Sequence, residues 1–371
     1  MTSRKQPRRT TPEPGAVRGT SHVSWLRGPG PVAWFVLLVA LLGLVPVLPA
    51  AGKNIRVGGV NYVDAVDFGA RFGLKATSSG RKLTLKSAWT TIELEAESRE
   101  CRYNGLRVFL GDASRAYRGA ILVSRTDADR LFNPLLLPGD GQTKVPELRT
   151  IVIDPGHGGR DPGKENRRLK VNEKTMALDT ALRLQRMLEN MGYRVLLTRT
   201  EDRHLGADKA SDLLERGAMA KRAGADLFIS LHYNAVGSDP QRVSGVEVYS
   251  LTPQHQYSTS DPEQDDDKGA AEFNVGNAQD YWNILLGYHV HRRLVEELKV
   301  SDRGLKRARW AVLRHAECPA ILVEAGFLSN DAEARRIATP EYRQRISDAI
   351  AHGVEAYGAI LAGVRKQRAG R

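Results

Sequence analysis

From Arg149 to the C-terminus, short apolar runs alternate with long amphipathic segments, and this alternation constrains the fold more than any other feature of the chain. The runs Thr150 to Asp154, Tyr193 to Thr198, Asp226 to Leu231, Gly245 to Ser250, Trp310 to Leu313 and Ala320 to Glu324 read as strands. Between them, Lys174 to Met191 sets Ala177, Leu178, Ala181, Leu184, Leu188 and Met191 on one helical face, and Tyr281 to Leu298 and Glu341 to Leu361 are likewise helical. Strands that are apolar throughout must be covered on both sides. Residues 149–362 are therefore expected to form an α/β domain, a mixed and mostly parallel sheet with helices on both faces, followed by a basic tail at 363–371.

The texture before Arg149 is different. Residues 53–137 hold short segments at Ile55 to Val57, Val60 to Tyr62, Lys82 to Leu85, Thr91 to Leu94, Arg107 to Leu110 and Ile121 to Val123. Their separators, Gly58-Gly59, Ser79-Gly80 and Asn104-Gly105, are hairpin chemistry. Helical spacing is confined to Val63 to Phe72 and a stretch opening at Thr126, so a small α+β domain is expected, joined to the larger one by a linker at 138–148. It contains no histidine, and its scattered charges do not suggest catalysis.

Residues 1–52 carry Arg4, Lys5, Arg8, Arg9, Arg18 and Arg27 against Glu13, then a charge-free run of 14 residues from Val32 to Val45. That order is an export signal, with Ala50-Ala51-Gly52 as the small-residue cleavage site. A retained signal anchor is the alternative, since the long basic flank suits the positive-inside rule. The expected location is the periplasm or cell envelope, with anchorage to the inner membrane if the segment is kept. Of the chain's 55 basic and 43 acidic residues, 49 and 42 follow Gly52. So mild an excess, with no concentrated basic stripe, argues against a nucleic-acid partner. With only Cys101 and Cys318, no disulfide framework holds the exported chain.

Four polar segments close apolar elements, where α/β proteins gather working groups. Asp154-Pro155-Gly156-His157-Gly158-Gly159 turns sharply out of a strand. Asn172-Glu173 starts the long helix, where the helix dipole alone also favours a carboxylate. His232 lies just past the strand ending at Leu231, and Glu324 ends the run Ala320 to Val323. Two histidines and a carboxylate make the ligand set of hydrolytic zinc sites, and a second, unligated carboxylate supplies the acid/base. Spacing alone does not prove that these residues converge. Of the other histidines, His22 lies in the N-terminal segment and His204, His255, His289, His291, His315 and His352 lack a comparable setting; His315, following the run Trp310 to Leu313, is the one within reach of the site.

Residues 149–362 resemble the zinc-dependent N-acetylmuramoyl-L-alanine amidases of the bacterial cell wall. The resemblance rests on Ile151 to Gly159, Asn172-Glu173, Leu197-Thr198-Arg199, Ala225 to Ala235, Asp302 to Lys306 and Pro319 to Asn330. It implies that His157, Glu173 and His232 bind one zinc ion per catalytic domain and that Glu324 is the catalytic acid/base. The implied reaction is hydrolysis of the amide between N-acetylmuramic acid and L-alanine of the stem peptide, as in cell separation. Peptidoglycan, and an envelope activator or scaffold protein, are the implied partners, with membrane contact only through an uncleaved N-terminal segment. Residues 53–137 resemble the N-terminal-like domain of copper amine oxidases through Val57, Val60-Asn61-Tyr62-Val63, Gly73-Leu74 and Asn104-Gly105, and offer no copper ligand set.

Two other readings use the same residues: a non-catalytic module that grips muropeptides, and a zinc peptidase cutting within the stem peptide. One segment departs from the pattern. Thr252 to Asn277 is polar and aperiodic, with Asp261, Glu263 and Asp265 to Asp267, and reads either as a solvated loop or as a cover over the site.

Overall fold

The computed structural model describes residues 53–260 and 271–370. The export segment and the acidic residues at 261–267 lie outside the described residues. Among those described, no helix is long and apolar enough to cross a membrane.

The centre of the molecule is an eleven-stranded sheet. Its strands are β3 (Lys75–Ser79), β4 (Lys82–Lys86), β5 (Thr91–Glu95), β6 (Glu100–Tyr103), β7 (Leu106–Phe109), β10 (Thr150–Pro155), β13 (Arg194–Leu197), β14 (Leu227–Asn234), β15 (Val246–Leu251), β16 (Asp302–Ala308) and β17 (Ala320–Phe327). In space they run β13-β10-β14-β17-β15-β16-β7-β6-β5-β4-β3. The first four are parallel, β15 is antiparallel to β17, and β16 is parallel to β15. A second sheet, β1-β2-β9-β8, is built from β1 (Ile55–Val57), β2 (Val60–Asp64), β8 (Arg115–Tyr117) and β9 (Ala120–Ser124). The short pair β11 (Glu165–Asn166) and β12 (Val171–Asn172) stands apart.

The period of two along each central strand separates a core face from a working face. Ile151, Ile153, Ile229, Leu231, Ile321 and Val323 point into the large core, under α2 (Glu173–Asn190), α4 (Asp280–Leu298) and α7 (Pro340–Ala369). Val152, Phe228, Ala320 and Leu322 point the other way, into a smaller cluster with Ala220 from α3 (Lys209–Arg222) and Val312 and Leu313 from α5 (Ala311–Arg314). By the same alternation Asp154, Ser230, His232 and Glu324 emerge on this second face.

Several expectations change. The run Trp310 to Leu313 is not a strand but opens into α5, because the neighbouring sheet position is taken by β16 (Asp302–Ala308), which the sequence reading had not marked as a strand. The basic tail at 363–371 continues α7 to Ala369, and Arg368 donates 2.6 Å bonds to the carbonyls of Gly139 and Gln142, clasping the linker. The regions read as 53–137 and 149–362 share the large sheet, with β7 paired in parallel to β16 through Val108 and Leu305. The described flanks of the 252–277 segment are not a free loop either. Gln256 is buried and donates from Nε2 to Asp112 Oδ2 at 3.0 Å and Ser124 Oγ at 3.1 Å. Cys101 and Cys318 are both free and buried.

The seam is held by Arg307, whose buried guanidinium donates from Nη1 to Asp127 Oδ1 and to Gln256 Oε1, each at 2.6 Å. Arg99 reaches across to the carbonyls of Tyr257 and Ser258 at 3.0 and 2.8 Å, and Tyr103 meets Tyr288 edge-on with centroids 5.2 Å apart. Removing one partner of a buried ion pair strands the other charge, which costs about 3–5 kcal/mol. Arg307→Met is expected to lower unfolding free energy by about that much, measured by denaturant titration; a change below 1 kcal/mol is the contrary result.

Candidate metal centre

Strand β10 ends at Pro155, and the chain turns at Gly156 and His157. A Cβ on Gly156 would lie 2.3 Å from His232 Cε1, so the glycine lets the two segments approach. His157 takes φ of 60°, a left-handed conformation unusual for a residue with a side chain. It is held there by paired backbone bonds between Gly158 and Asp161 at 3.0 and 3.1 Å, and by Arg216 Nη2 donating to the His157 carbonyl at 2.8 Å. Glu173 is the first residue of α2, after Asn172, whose side chain caps the helix by accepting from Thr175 N at 3.0 Å. His232 sits in β14 where the ladder with β17 slips between His232 and Asn234, an irregularity of the kind that re-aims side chains beside active sites.

These three converge, with one donor atom from each within 4.8 Å of the others. Glu173, only 2% exposed, places Oε1 at 3.0 Å from His157 Nε2 and 2.8 Å from His232 Nδ1. The backbone N–H of Lys164 donates to Oε2 at 2.7 Å and that of Tyr233 to Oε1 at 3.0 Å. Burial works to raise the Glu173 carboxyl, but the two imidazoles outweigh it and hold it below the usual carboxylate range. His157 is pushed the other way: burial lowers it, and Glu173 and Asp161 together raise it. Asp161 Oδ2 lies 2.8 Å from His157 Nδ1, the outer partner that orients a ligating imidazole.

Glu324 is paired in register with His232 and lines the same cleft, of about 810 Å³. Its Oε2 is buried and has no hydrogen-bond partner among the described residues. Burial first, then the charges of Glu173 and Glu247, lifts this carboxyl well above its ordinary value. All four residues expected from the sequence thus stand together.

The sequence reading missed the groups behind them. Glu247 opposes Glu324 across β15 and accepts from Lys306 Nζ at 2.6 Å, Tyr249 OH at 2.7 Å and Arg303 Nε at 2.8 Å. Its place in an alternating strand was the only available signal. Asp154 accepts from Arg216 Nη1 at 2.8 Å, Thr198 Oγ1 at 2.6 Å and Ser230 Oγ at 2.7 Å. His204 lines the cleft, against expectation, because its loop folds back over Gly159. His315 instead packs beside Gly217 of α3, and His291 bonds to Asp302 at 2.7 Å within the core. Burial drives His289 down to about 3.

Residues 151–356 match the sequence profile of a family described as N-acetylmuramoyl-L-alanine amidase. N-acetylmuramoyl-L-alanine amidase AmiA of Escherichia coli (strain K12) is 31% identical over 228 residues, covering 56% of this chain and 76% of the relative. An uncharacterised cell wall amidase of Bacillus anthracis is 32% identical over 226 residues, 61% of this chain, which spans only 38% of that relative's length. Among solved structures, the N-acetylmuramoyl-L-alanine amidase of Clostridium difficile 630 aligns with a TM-score of 0.45 at 28% identity, over 57% of this chain and 97% of that one.

For Asp154, burial pushes the carboxyl up, but Arg216 and the hydroxyls of Thr198 and Ser230 prevail and it lies below its ordinary value. A carboxyl lower in the folded than in the unfolded state adds stability that is complete above about pH 4 and fades as pH falls through the folded value. Asp154→Asn is therefore expected to cost about 3 kcal/mol at pH 7 and progressively less below pH 4. Denaturation of both proteins between pH 7 and pH 2 checks this, and a gap that stays constant would count against it.

Proposed function

This chain belongs to the N-acetylmuramoyl-L-alanine amidase family, and from that premise we propose that it is a zinc hydrolase cutting the amide between N-acetylmuramic acid and L-alanine of the peptidoglycan stem peptide. The observation that carries the reading is the convergence of His157, Glu173 and His232 donor atoms within 4.8 Å of one another, beside the unpartnered Oε2 of Glu324.

The residues fit a zinc ion on three grounds. Two imidazole nitrogens and one carboxylate oxygen are the donor set of hydrolytic zinc sites. Glu173 is a buried carboxylate between two imidazoles, where a cation offsets the cost of burying charge. Asp161 fixes His157 so that Nε2 faces the group, while His232 presents Nδ1. When bound, zinc supplies Lewis acidity, which acidifies water and polarises an amide carbonyl.

The chain's own contribution is the proton. Glu324 Oε2 takes the proton of the water that attacks the lactyl carbonyl, then delivers it to the L-alanine nitrogen as the carbon–nitrogen bond breaks. Burial and the neighbouring charges of Glu173 and Glu247 lift this carboxyl above its ordinary value, the direction in which carboxylates that serve as general acid/bases are tuned. Glu247, opposite Glu324 in the sheet, is neutralised by Lys306 and Arg303.

Peptidoglycan lies outside the cytoplasmic membrane, so reading residues 1–52 as an export segment is part of the same proposal, as is an accessory role in the envelope for residues 53–137. Contact with an envelope activator or scaffold would then be made there or along the 252–277 segment.

Glu324→Gln is expected to retain bound zinc while losing about 10²- to 10⁴-fold in turnover on purified sacculi. His157→Ala is expected to lose both. Asp161→Asn should weaken metal affinity about 10- to 100-fold with the ligands intact. Zinc content by elemental analysis and mass spectrometry of released fragments are the measurements. Shortened peptides still attached to glycan would replace the amidase reading with a stem-peptide peptidase, and sacculi left intact would favour a binding module.

A further inference from the structure

The cleft that holds His157 and Glu324 continues along the sheet face to Trp310, whose indole is 47% exposed. This exposed ring is nonetheless fixed. The Trp310 carbonyl accepts from Leu313 N and Arg314 N, each at 3.0 Å, as α5 begins. The indole meets Tyr249 edge-on, with centroids 6.1 Å apart and planes at 75°. Tyr249 donates its hydroxyl to Glu247 at 2.7 Å, and Glu247 stands opposite Glu324 in the sheet. The ring's orientation is thereby tied to the acid. Beside it the wall is apolar, formed by Ala311, Val312 and Leu322.

Charged groups line the cleft as well. Arg160 and Lys164 lie on the loop after β10, and Lys209 opens α3. Arg160 donates to the Ala207 carbonyl at 2.9 Å, which ties that loop to the approach to α3. The acids there are already engaged: Asp161 with His157, Asp208 in capping α3, and Asp212 with Arg216 at 2.7 Å. Lys164 and Lys209 have no ion-pair partner of their own among the described residues. The cleft thus offers an exposed aromatic ring beside an apolar stretch of wall, with charged groups of both signs in the rest of its lining.

A muramoyl peptide presents two different surfaces about its scissile amide. Its pyranose ring is uncharged and presents C–H bonds on its flat face, whereas its stem peptide carries carboxylates. We propose that Trp310 is the platform on which the sugar ring of the muramoyl group stacks. The inference rests on the amidase reading and deepens it.

The test uses the full chain with a soluble uncrosslinked glycan-peptide as substrate, and chitotetraose as an uncharged, peptide-free probe. Stacking of a planar group on an aromatic ring is worth roughly one to two powers of ten in affinity when the ring is cut to alanine. Trp310→Ala is expected to raise KM about tenfold with kcat within about twofold, and Trp310→Phe to recover most of the loss. Chitotetraose is expected to compete with substrate and to change the tryptophan fluorescence of the wild type, and to do neither in Trp310→Ala. An unchanged KM in Trp310→Ala would overturn the proposal. So would a fluorescence change that persists in Trp310→Phe, or Trp310-dependent inhibition by the dipeptide L-alanyl-D-isoglutamate instead of chitotetraose. If Trp310→Ala melts early, Trp310→Phe carries the fluorescence arm alone. A wild type that binds chitotetraose through Trp310 yet frees no peptide would refute the amidase reading and leave the platform standing.

Discussion

The buried pair of Asp154 and Arg216 is the interaction on which the site's geometry depends. Asp154 sits at the end of β10 with no exposed surface, satisfied by Arg216, Thr198 and Ser230. Arg216 also donates to the carbonyls of Pro155 and His157, and Arg199 to those of Pro155 and Gly156. Two fully buried guanidiniums thus hold three consecutive carbonyls, and the backbone between them adopts the left-handed turn that aims His157. Such a conformation persists only where its surroundings over-determine it. The left-handed turn at His157 is sustained by charge brought from α3 and from the segment just after β13, neither of which contributes His157, Glu173 or His232.

The same logic extends outward across the sheet. β15 reverses direction beside β17 and so places Glu247 opposite Glu324. Two carboxylates facing each other repel, and Lys306 and Arg303 from β16 offset Glu247, while Glu324 Oε2 has no hydrogen-bond partner among the described residues. β16 continues the sheet into β7, and Arg307 on that strand locks Asp127 and Gln256. The region before the linker therefore shares the sheet that carries Glu324 and Glu247.

Much of this was legible in the residues. The apolar runs marked most of the central strands because a strand covered on both faces must be apolar throughout, and the long helices were marked by their 3.6 period. His157, Glu173, His232 and Glu324 stood out because a histidine or carboxylate at the end of a buried strand or helix has no packing reason to be there. β16 was not legible, since Asp302-Arg303-Gly304-Leu305-Lys306-Arg307 reads as a polar loop. Its charges are absorbed by His291 on the preceding helix and by Glu247 and Asp127, both distant in sequence. The run after Trp310 looked like a strand because four mostly apolar residues carry no information on period.

The sequence by itself determined the fold class and singled out His157, Glu173, His232 and Glu324 as residues whose chemistry suits a site, because apolar period and residue type are local properties. The tertiary structure decided which nitrogen each histidine presents, which carboxylate is neutralised and which is left alone, and that the two halves share one sheet. Those outcomes depend on pairing between strands and on charges that meet only after folding, and spacing along the chain does not encode them.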